Sequence, residues 1–264
     1  MIELKDISAG YGRDIVLRGI NLNIPQGRLI SVIGPNGSGK STLLKTAAGL
    51  LCAAKGEVVL QGRSLIGLSR SEIARHIAYL AQGKSVPDMT VGQLVLHGRF
   101  PHLRYPRKYS PKDRSIASDA LCRMGMEALA DRPMFSLSGG MRQNAYIAMV
   151  LAQDTDYILL DEPTTYLDIS RQLELMKTLR ALADSCKGVA AVMHDLPLAF
   201  SFSDEIAVIN DGALLAAGTP EALCQSGVIQ SVFGIELKYS AEENCYHYKY
   251  SSALSRRSAV IEPD

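Results

Sequence analysis

The sequence is short of several things that would each have pointed to a class of protein. It has no tryptophan and no uncharged apolar run approaching the roughly 18–20 residues that a membrane-spanning helix requires. Its first residues, MIELKDISAGYG, place acidic and polar side chains where a secretion signal needs an apolar stretch. There are five cysteines, an odd number, widely spaced and without a CxxC pair. That pattern disfavours a disulfide framework or a zinc site and fits a reduced, cytosolic setting. Net charge is also nearly absent: 28 basic and 27 acidic residues leave +1 in 264, so the chain is not a general polyanion binder and no nucleic-acid partner is expected. The hydrophobic fraction is 47% and the charged fraction 21%, which is ordinary globular usage rather than disorder.

What is present is an alternation of strand and helix signals. Short alternating stretches around Ile2–Ile7 and Ile20–Ile24 read as half-buried strands. Leu29–Ile33 is apolar at nearly every position, as in a strand covered on both faces of a parallel sheet. A glycine-rich loop follows, then helical character over Ser41–Leu51 with the helix end frayed at Gly49, and a strand over Glu57–Leu60. Ser69 to Ala152 is rich in helix formers, with a strand-like Ile77–Leu80 and an interruption at Gly98–Pro111. Strand character returns at Tyr157–Leu160, Val189–Met193 and Glu205–Ile209, with a helix expected over Ile169–Leu182. This order implies an α/β core with a mostly parallel sheet and a helical insertion.

Gly34-Pro35-Asn36-Gly37-Ser38-Gly39-Lys40-Ser41 matches G-x-x-x-x-G-K-[ST], between a buried strand and a helix. Glycines let backbone N–H groups approach phosphate oxygens, and the following helix offers its unpaired N–H groups and positive dipole end. Lys40 supplies a point charge for the β- and γ-phosphates. The Ser41 hydroxyl is a hard oxygen suited to Mg²⁺, and Thr42 adds a phosphate hydrogen bond. Asp161-Glu162 follows the strand Tyr157–Leu160, at the carboxyl end where parallel sheets bind ligands. Asp161 is placed to reach Mg²⁺ and Glu162 to polarise an attacking water.

With Leu137-Ser138-Gly139-Gly140-Met141-Arg142-Gln143, these motifs resemble the nucleotide-binding subunits of ATP-binding cassette (ABC) transporters, over Ile2 to about Gly234. Met141 stands where that family usually has glutamine. The resemblance implies a P-loop NTPase core, an N-terminal antiparallel β subdomain and an inserted helical subdomain at about residues 83–155. On this reading the nucleotide-binding domain spans residues 1–235 and residues 236–264 form a tail without assigned role; its alternating tyrosines suggest an added strand. The resemblance further implies that Tyr11 stacks on adenine and that Gln82 contacts Mg²⁺ and the attacking water. His194 hydrogen-bonds the γ-phosphate, and Asp168 lies in a loop facing the opposing subunit while also standing where a helix N-cap would. Ser138, Gly139 and Gly140 of a second copy close over ATP held by the phosphate loop of the first. His76, His97, His102 and His247 show no metal-ligand spacing and read as structural or surface residues.

Gly98-Arg99-Phe100-Pro101-His102 and Thr164-Thr165-Tyr166-Leu167-Asp168 look like the ATPases of bacterial importers for ferric siderophores, haem and cobalamin, ferric siderophores foremost. The expected setting is the cytoplasmic face of the plasma membrane, bound to polytopic permease subunits and, through them, to a substrate-binding protein. A non-transport ABC ATPase of the Fe–S assembly or DNA repair type, and an ATP-gated clamp with little turnover, are the alternatives. Gly98 to Arg114 carries six Lys/Arg and one acid, a local +5. Two readings stand for it: a contact with the membrane subunit or anionic headgroups, or a solvated loop.

Overall fold

The computed structural model describes residues 1–83 and 85–249; residues 250–264 of the tail expected at 236–264 lie outside the described residues. In chain order the first elements are β1 (Ile2–Tyr11), β2 (Asp14–Ile24), β3 (Leu29–Ile33), α1 (Lys40–Ala47), β4 (Lys55–Leu60), β5 (Arg63–Ser64), α2 (Arg70–His76) and β6 (Ile77–Leu80). A helical block follows, of α3 (Val91–His97), α4 (Pro111–Arg123) and α5 (Gly139–Ala152). Then come β7 (Tyr157–Leu160), α6 (Ile169–Asp184), β8 (Gly188–Val192), α7 (Leu196–Phe202), β9 (Glu205–Asn210) and β10 (Ala213–Gly218). The described chain ends with α8 (Pro220–Ser226), α9 (Val228–Phe233), β11 (Glu236–Ser240) and β12 (Cys245–Lys249).

The main sheet has the order β10-β9-β3-β8-β7-β6. It is parallel from β9 to β6 and antiparallel only at the β10 edge. The N-terminal strands form a separate antiparallel sheet, β2-β1-β4-β5. The apolar run of β3 has a direct structural cause. Leu29 and Ile33 pack on one face with α6 and α7, while Ile30 and Val32 pack on the other with α1 and the antiparallel sheet. Neither face meets water, so alternation disappears. Ser31, the polar exception in β3, is satisfied by a hydroxyl–hydroxyl hydrogen bond to Ser203 at 2.7 Å.

Helix α1 is shorter than its sequence suggests. It ends at Ala47 because the chain reverses at Gly49, where the Leu50 N–H returns to the Lys45 carbonyl at 2.9 Å. A left-handed glycine is the common way to end a helix, and the apolar residues beyond it, Leu50 and Leu51, belong to the following turn.

The basic stretch is also not uniformly a solvated loop. A Cβ on Gly98 would stand 2.2 Å from the Met149 carbonyl oxygen, so only glycine allows the chain to cross α5 here. Arg99 is buried, pairs with Asp113 at 3.0 Å, and donates to the Ala152 and Gln153 carbonyls at 3.0 and 3.3 Å. His102 Nε2 lies 2.8 Å from the same Gln153 oxygen. These groups occupy carbonyls that a helix C-terminus otherwise leaves unpaired, with positive charge at the negative end of the dipole. Arg99 is therefore an internal strut, while Arg104, Arg107 and Lys108 stay exposed.

Candidate functional site

Four adjacent strands, β3, β8, β7 and β6, run parallel and end along one edge of the main sheet. Each delivers a residue singled out by its motif. The loop from Gly34 leaves β3, His194 follows β8, Asp161 and Glu162 follow β7, and Gln82 follows β6. Side chains far apart in sequence thus meet because sheet order, not chain order, sets their spacing. Asn36, Gly37, Gly39 to Thr42, Gln82, Glu162 and His194 line a pocket of about 500 Å³.

The loop is built for close backbone approach. A Cβ on Gly34 would sit 2.0 Å from the Ile209 carbonyl oxygen, so the turn off β3 admits only glycine. Lys40 Nζ donates to the Gly34 and Pro35 carbonyls at 2.9 and 2.7 Å. Burial lowers its pKa, and the nearby Glu162 and Asp161 charges oppose that shift. Ser38 is buried, and its hydroxyl has no hydrogen-bond partner. An orphaned hydroxyl beside a lysine held only by backbone carbonyls is the donor arrangement that a phosphate group satisfies.

The acidic end is equally ordered. Ser41 Oγ donates to Asp161 Oδ1 at 2.8 Å, and the Tyr79 hydroxyl donates to Asp161 Oδ2 at 3.1 Å. Burial raises the Asp161 pKa, and these two bonds hold it down in part. Burial likewise raises the Tyr79 pKa, with Asp161 adding to it, so the phenol stays protonated and donates. Ser41, Asp161 and Gln82 present hard oxygens at one mouth of the pocket, a donor set that fits Mg²⁺.

Glu162 is clamped from two sides. Gln82 Nε2 donates to its Oε2 at 2.6 Å, and His194 Nε2 lies 2.7 Å from Oε1. The residue adopts φ +51°, a left-handed conformation uncommon for a non-glycine residue. It turns the chain directly off β7, and strain of that kind concentrates at functional positions.

Other expected residues stand apart from this pocket. Ser138 caps α5, its hydroxyl accepting from the Met141 N–H at 3.4 Å, with Gly139 and Gly140 in the first turn. Gly139 instead borders a second cavity of about 260 Å³, shared with Gln82, Glu162, Arg142 and Tyr166. The Met141 side chain packs on the core. Asp168 caps α6, accepting from the Arg171 N–H at 2.9 Å. Tyr11 is half exposed at the end of β1, and its hydroxyl accepts from Lys45 at 3.3 Å.

Several contacts have no counterpart in the motifs. Tyr79 orients Asp161, as described. The Tyr146 hydroxyl of α5 donates to the Ser85 carbonyl at 2.8 Å, three residues past Gln82. Gln143 Nε2 donates to the Pro163 carbonyl at 2.9 Å, next to Glu162. Tyr79 leaves one trace in the sequence, a polar atom inside an otherwise apolar strand. Tyr146 leaves none, and Gln143, though it closes the Leu137–Gln143 motif, gives no sign there of its partner Pro163, which lies in a remote loop.

Comparison with known proteins agrees with this geometry. The ABC transporter family profile matches residues 17–165. The petrobactin import ATP-binding protein FpuD of Bacillus anthracis is 41% identical over 243 residues, covering 91% of this chain and 89% of FpuD. The ferric enterobactin transport ATP-binding protein FepC of Escherichia coli (strain K12) is 40% identical over 234 residues, covering 88% and 86%. Among solved structures, the dimeric post-hydrolysis form of the ATP-binding cassette MJ0796 bound to ADP and Pi superposes with a TM-score of 0.74 at 29% identity, covering 83% of this chain and 99% of that one. A chain from an inward-facing ABC transporter superposes with a TM-score of 0.80 at 26% identity, covering 96% and 98%.

Proposed function

The chain belongs to the ABC transporter family of ATP-binding proteins, and from that premise we propose that it is the ATP-hydrolysing subunit of an importer for iron chelates, ferric siderophores foremost. The observation that carries hydrolysis is the convergence of four strand ends on one pocket, with Glu162 held between His194 and Gln82. The cargo class rests on relatives at about 40% identity whose names specify petrobactin and ferric enterobactin.

ATP lies with its phosphates along Gly34 to Thr42. The unpartnered Ser38 hydroxyl gains a phosphate oxygen, and Lys40 exchanges its loop carbonyls for phosphate oxygens. Tyr11 offers its exposed ring to the adenine. Ser41, Asp161 and Gln82 would hold Mg²⁺, which would neutralise charge on the phosphate oxygens. Glu162 takes the proton of the attacking water, and Lys40 and His194 stabilise charge on the transferred group.

A second copy supplies Ser138, Gly139 and Gly140, whose helix N-terminus presents free N–H groups to the γ-phosphate, with Asp168 at the same junction. This head-to-tail pairing is supported by the absence of Ser138, Gly139 and Gly140 from the lining of the phosphate pocket in their own chain, and by the dimeric MJ0796 cassette. No helix among the described residues is long and apolar enough to cross a membrane. Bound to permease subunits, the chain works at the cytoplasmic face of the plasma membrane, and a substrate-binding protein delivers cargo on the far side.

The test is Glu162→Gln. Loss of the general base lowers ATP turnover by about 10²–10⁴-fold. ATP binding persists and a stable ATP-bound dimer accumulates on gel filtration. Near-wild-type turnover from this variant would falsify the assignment of Glu162 as base. Wild-type chain that binds ATP without turning it over would favour the clamp reading instead.

A further inference from the structure

Away from the nucleotide pocket, the described residues contain a cluster of three different metal-ligating side chains, Glu243, Cys245 and His247. A carboxylate oxygen, the thiol sulfur and a ring nitrogen lie within 4.8 Å of one another. In the sequence these residues show no recognisable ligand spacing. The hairpin β11–β12 creates it, with Ser240 paired to Cys245 and Lys238 to His247. Side chains two apart on a strand share a face, so Cys245 and His247 point the same way.

The turn brings in the third donor. Asn244 adopts φ +51°, and its side chain accepts from the Tyr239 hydroxyl at 2.6 Å. The Glu243 N–H donates to Ser240 Oγ at 3.3 Å. The turn therefore folds Glu243 back over β12, where the Cys245 thiol donates to its carboxylate at 3.7 Å.

We propose that Glu243, Cys245 and His247 form a binding site for a divalent transition metal of the zinc type. The donor chemistry selects the ion. Mg²⁺ and Ca²⁺ require oxygen donors, whereas one thiolate, one imidazole and one carboxylate suit zinc and its neighbours. With metal–ligand distances of about 2.0–2.3 Å, tetrahedral ligands lie roughly 3.5 Å apart. The cluster reaches that spacing by small rotations of half-exposed side chains. As the metal–sulfur bond forms, the Cys245 proton leaves to solvent, His247 gives a neutral lone pair and Glu243 its carboxylate. Three protein donors leave the fourth position to water, the arrangement of an exchangeable site rather than a closed structural one.

The site has a place to act. Tyr246, between the two ligands, faces the opposite way and packs edge-on to Phe200 at 5.4 Å. Its N–H donates to Ser201 Oγ at 3.0 Å, tying β12 to α7. Helix α7 starts from its cap Asp195, the residue after His194. Tyr246 thus holds the hairpin, a unit of marginal stability by itself, against that helix, and a metal on Glu243, Cys245 and His247 would order the strand that carries it.

The test is Co²⁺ titration of the untagged, nucleotide-free chain, followed by thiolate-to-cobalt absorption in the near ultraviolet. One Co²⁺ per chain is expected, displaced by Zn²⁺. Cys245→Ser should abolish the band, His247→Ala and Glu243→Ala should weaken binding at least tenfold, and Cys224→Ser should leave it unchanged. ATP turnover of Cys245→Ser at the wild-type rate shows that the variant is folded. No band, a band that survives Cys245→Ser, or unchanged affinity in His247→Ala overturns the site. None of these outcomes bears on ATP hydrolysis, which uses other residues.

Discussion

Replacing Arg99 with alanine removes the buried guanidinium that ties the basic stretch to the end of α5. The lost contacts are the 3.0 Å pair with Asp113 and the bonds to the Ala152 and Gln153 carbonyls at 3.0 and 3.3 Å. Asp113 keeps the Ser110 N–H and hydroxyl at 2.9 and 2.6 Å but loses its counter-charge. Stranding one member of a buried ion pair costs about 3–5 kcal/mol. That is a large part of the roughly 5–15 kcal/mol that folds a typical domain. Arg99→Lys retains the charge but not the planar fork, and should fall between. Replacing both partners, Arg99→Met with Asp113→Leu, should cost less than the two single losses together, because no charge is left stranded. Urea denaturation followed by circular dichroism measures each variant, both single replacements included, against the wild type. The Ser110 hydroxyl, followed by its N–H and Arg99, holds the Asp113 pKa down to about 2. Its folded value lies below the unfolded one, so its stabilisation is complete above about pH 4 and disappears as pH falls towards 2. In Arg99→Ala that loss should begin at higher pH. A cost below about 1 kcal/mol for Arg99→Ala, the range of exposed pairs, would refute the strut.

Asp161 gives the opposite sign. Burial raises its pKa, so its contribution to stability is present below the unfolded value near 4 and is lost as pH rises through the folded one. At neutral pH without Mg²⁺, Asp161→Asn should therefore raise the melting temperature, by roughly 2–4 °C per kcal/mol relieved, while ATP turnover falls. A lower melting temperature by scanning calorimetry would contradict the desolvation argument. Tyr79→Phe removes a hydroxyl from the buried Asp161 carboxylate and should cost about 1–3 kcal/mol in urea titrations, with a smaller loss in the Asp161→Asn background. Met141→Gln moves a side chain that packs on the core, not into the phosphate pocket. Stability should change by about 1 kcal/mol or less and steady-state turnover little. A tenfold gain in turnover would instead mark Met141 as a brake.

The parts that could be read from the sequence are those whose chemistry is local. The Gly34–Ser41 loop needs its glycines, lysine and hydroxyl at fixed spacing, and β3 needs apolar side chains on both faces because it is covered twice. Asp161 and Glu162 were readable because a strand end and its first turn are contiguous. The Arg99 strut was not, since Asp113 and the α5 carbonyls lie 14 and 53–54 residues away. The sequence shows only a basic residue in a basic stretch. The end of α1 lies at Ala47, two residues before the Gly49 that marks its fraying in the sequence, although Leu50 and Leu51 continue the apolar pattern beyond. The Tyr79 contact depends on which strands become neighbours, and the Glu243–Cys245–His247 cluster on the turn that folds Glu243 back over β12.

Helix α5 brings these contacts together. Its first turn is capped by Ser138, which takes the Met141 N–H, while its last carbonyls are occupied by Arg99 and His102. Between the ends, Gln143 holds the turn beside Glu162 and Tyr146 holds the segment after Gln82. Past the C-terminus, the Gln153 side chain donates to the Ala74 and Ile77 carbonyls at 2.6 and 3.1 Å, at the junction of α2 and β6. A shift of Gln82 or Glu162 must therefore carry α5 with it or break the bonds to Ser85 and Pro163. The buried strut at the far end ties α5 to α4 through Asp113 and to the start of the basic stretch. Helix α5 thus joins the turns beside Gln82 and Glu162 to the buried Arg99, from which the exposed Arg104, Arg107 and Lys108 follow in sequence.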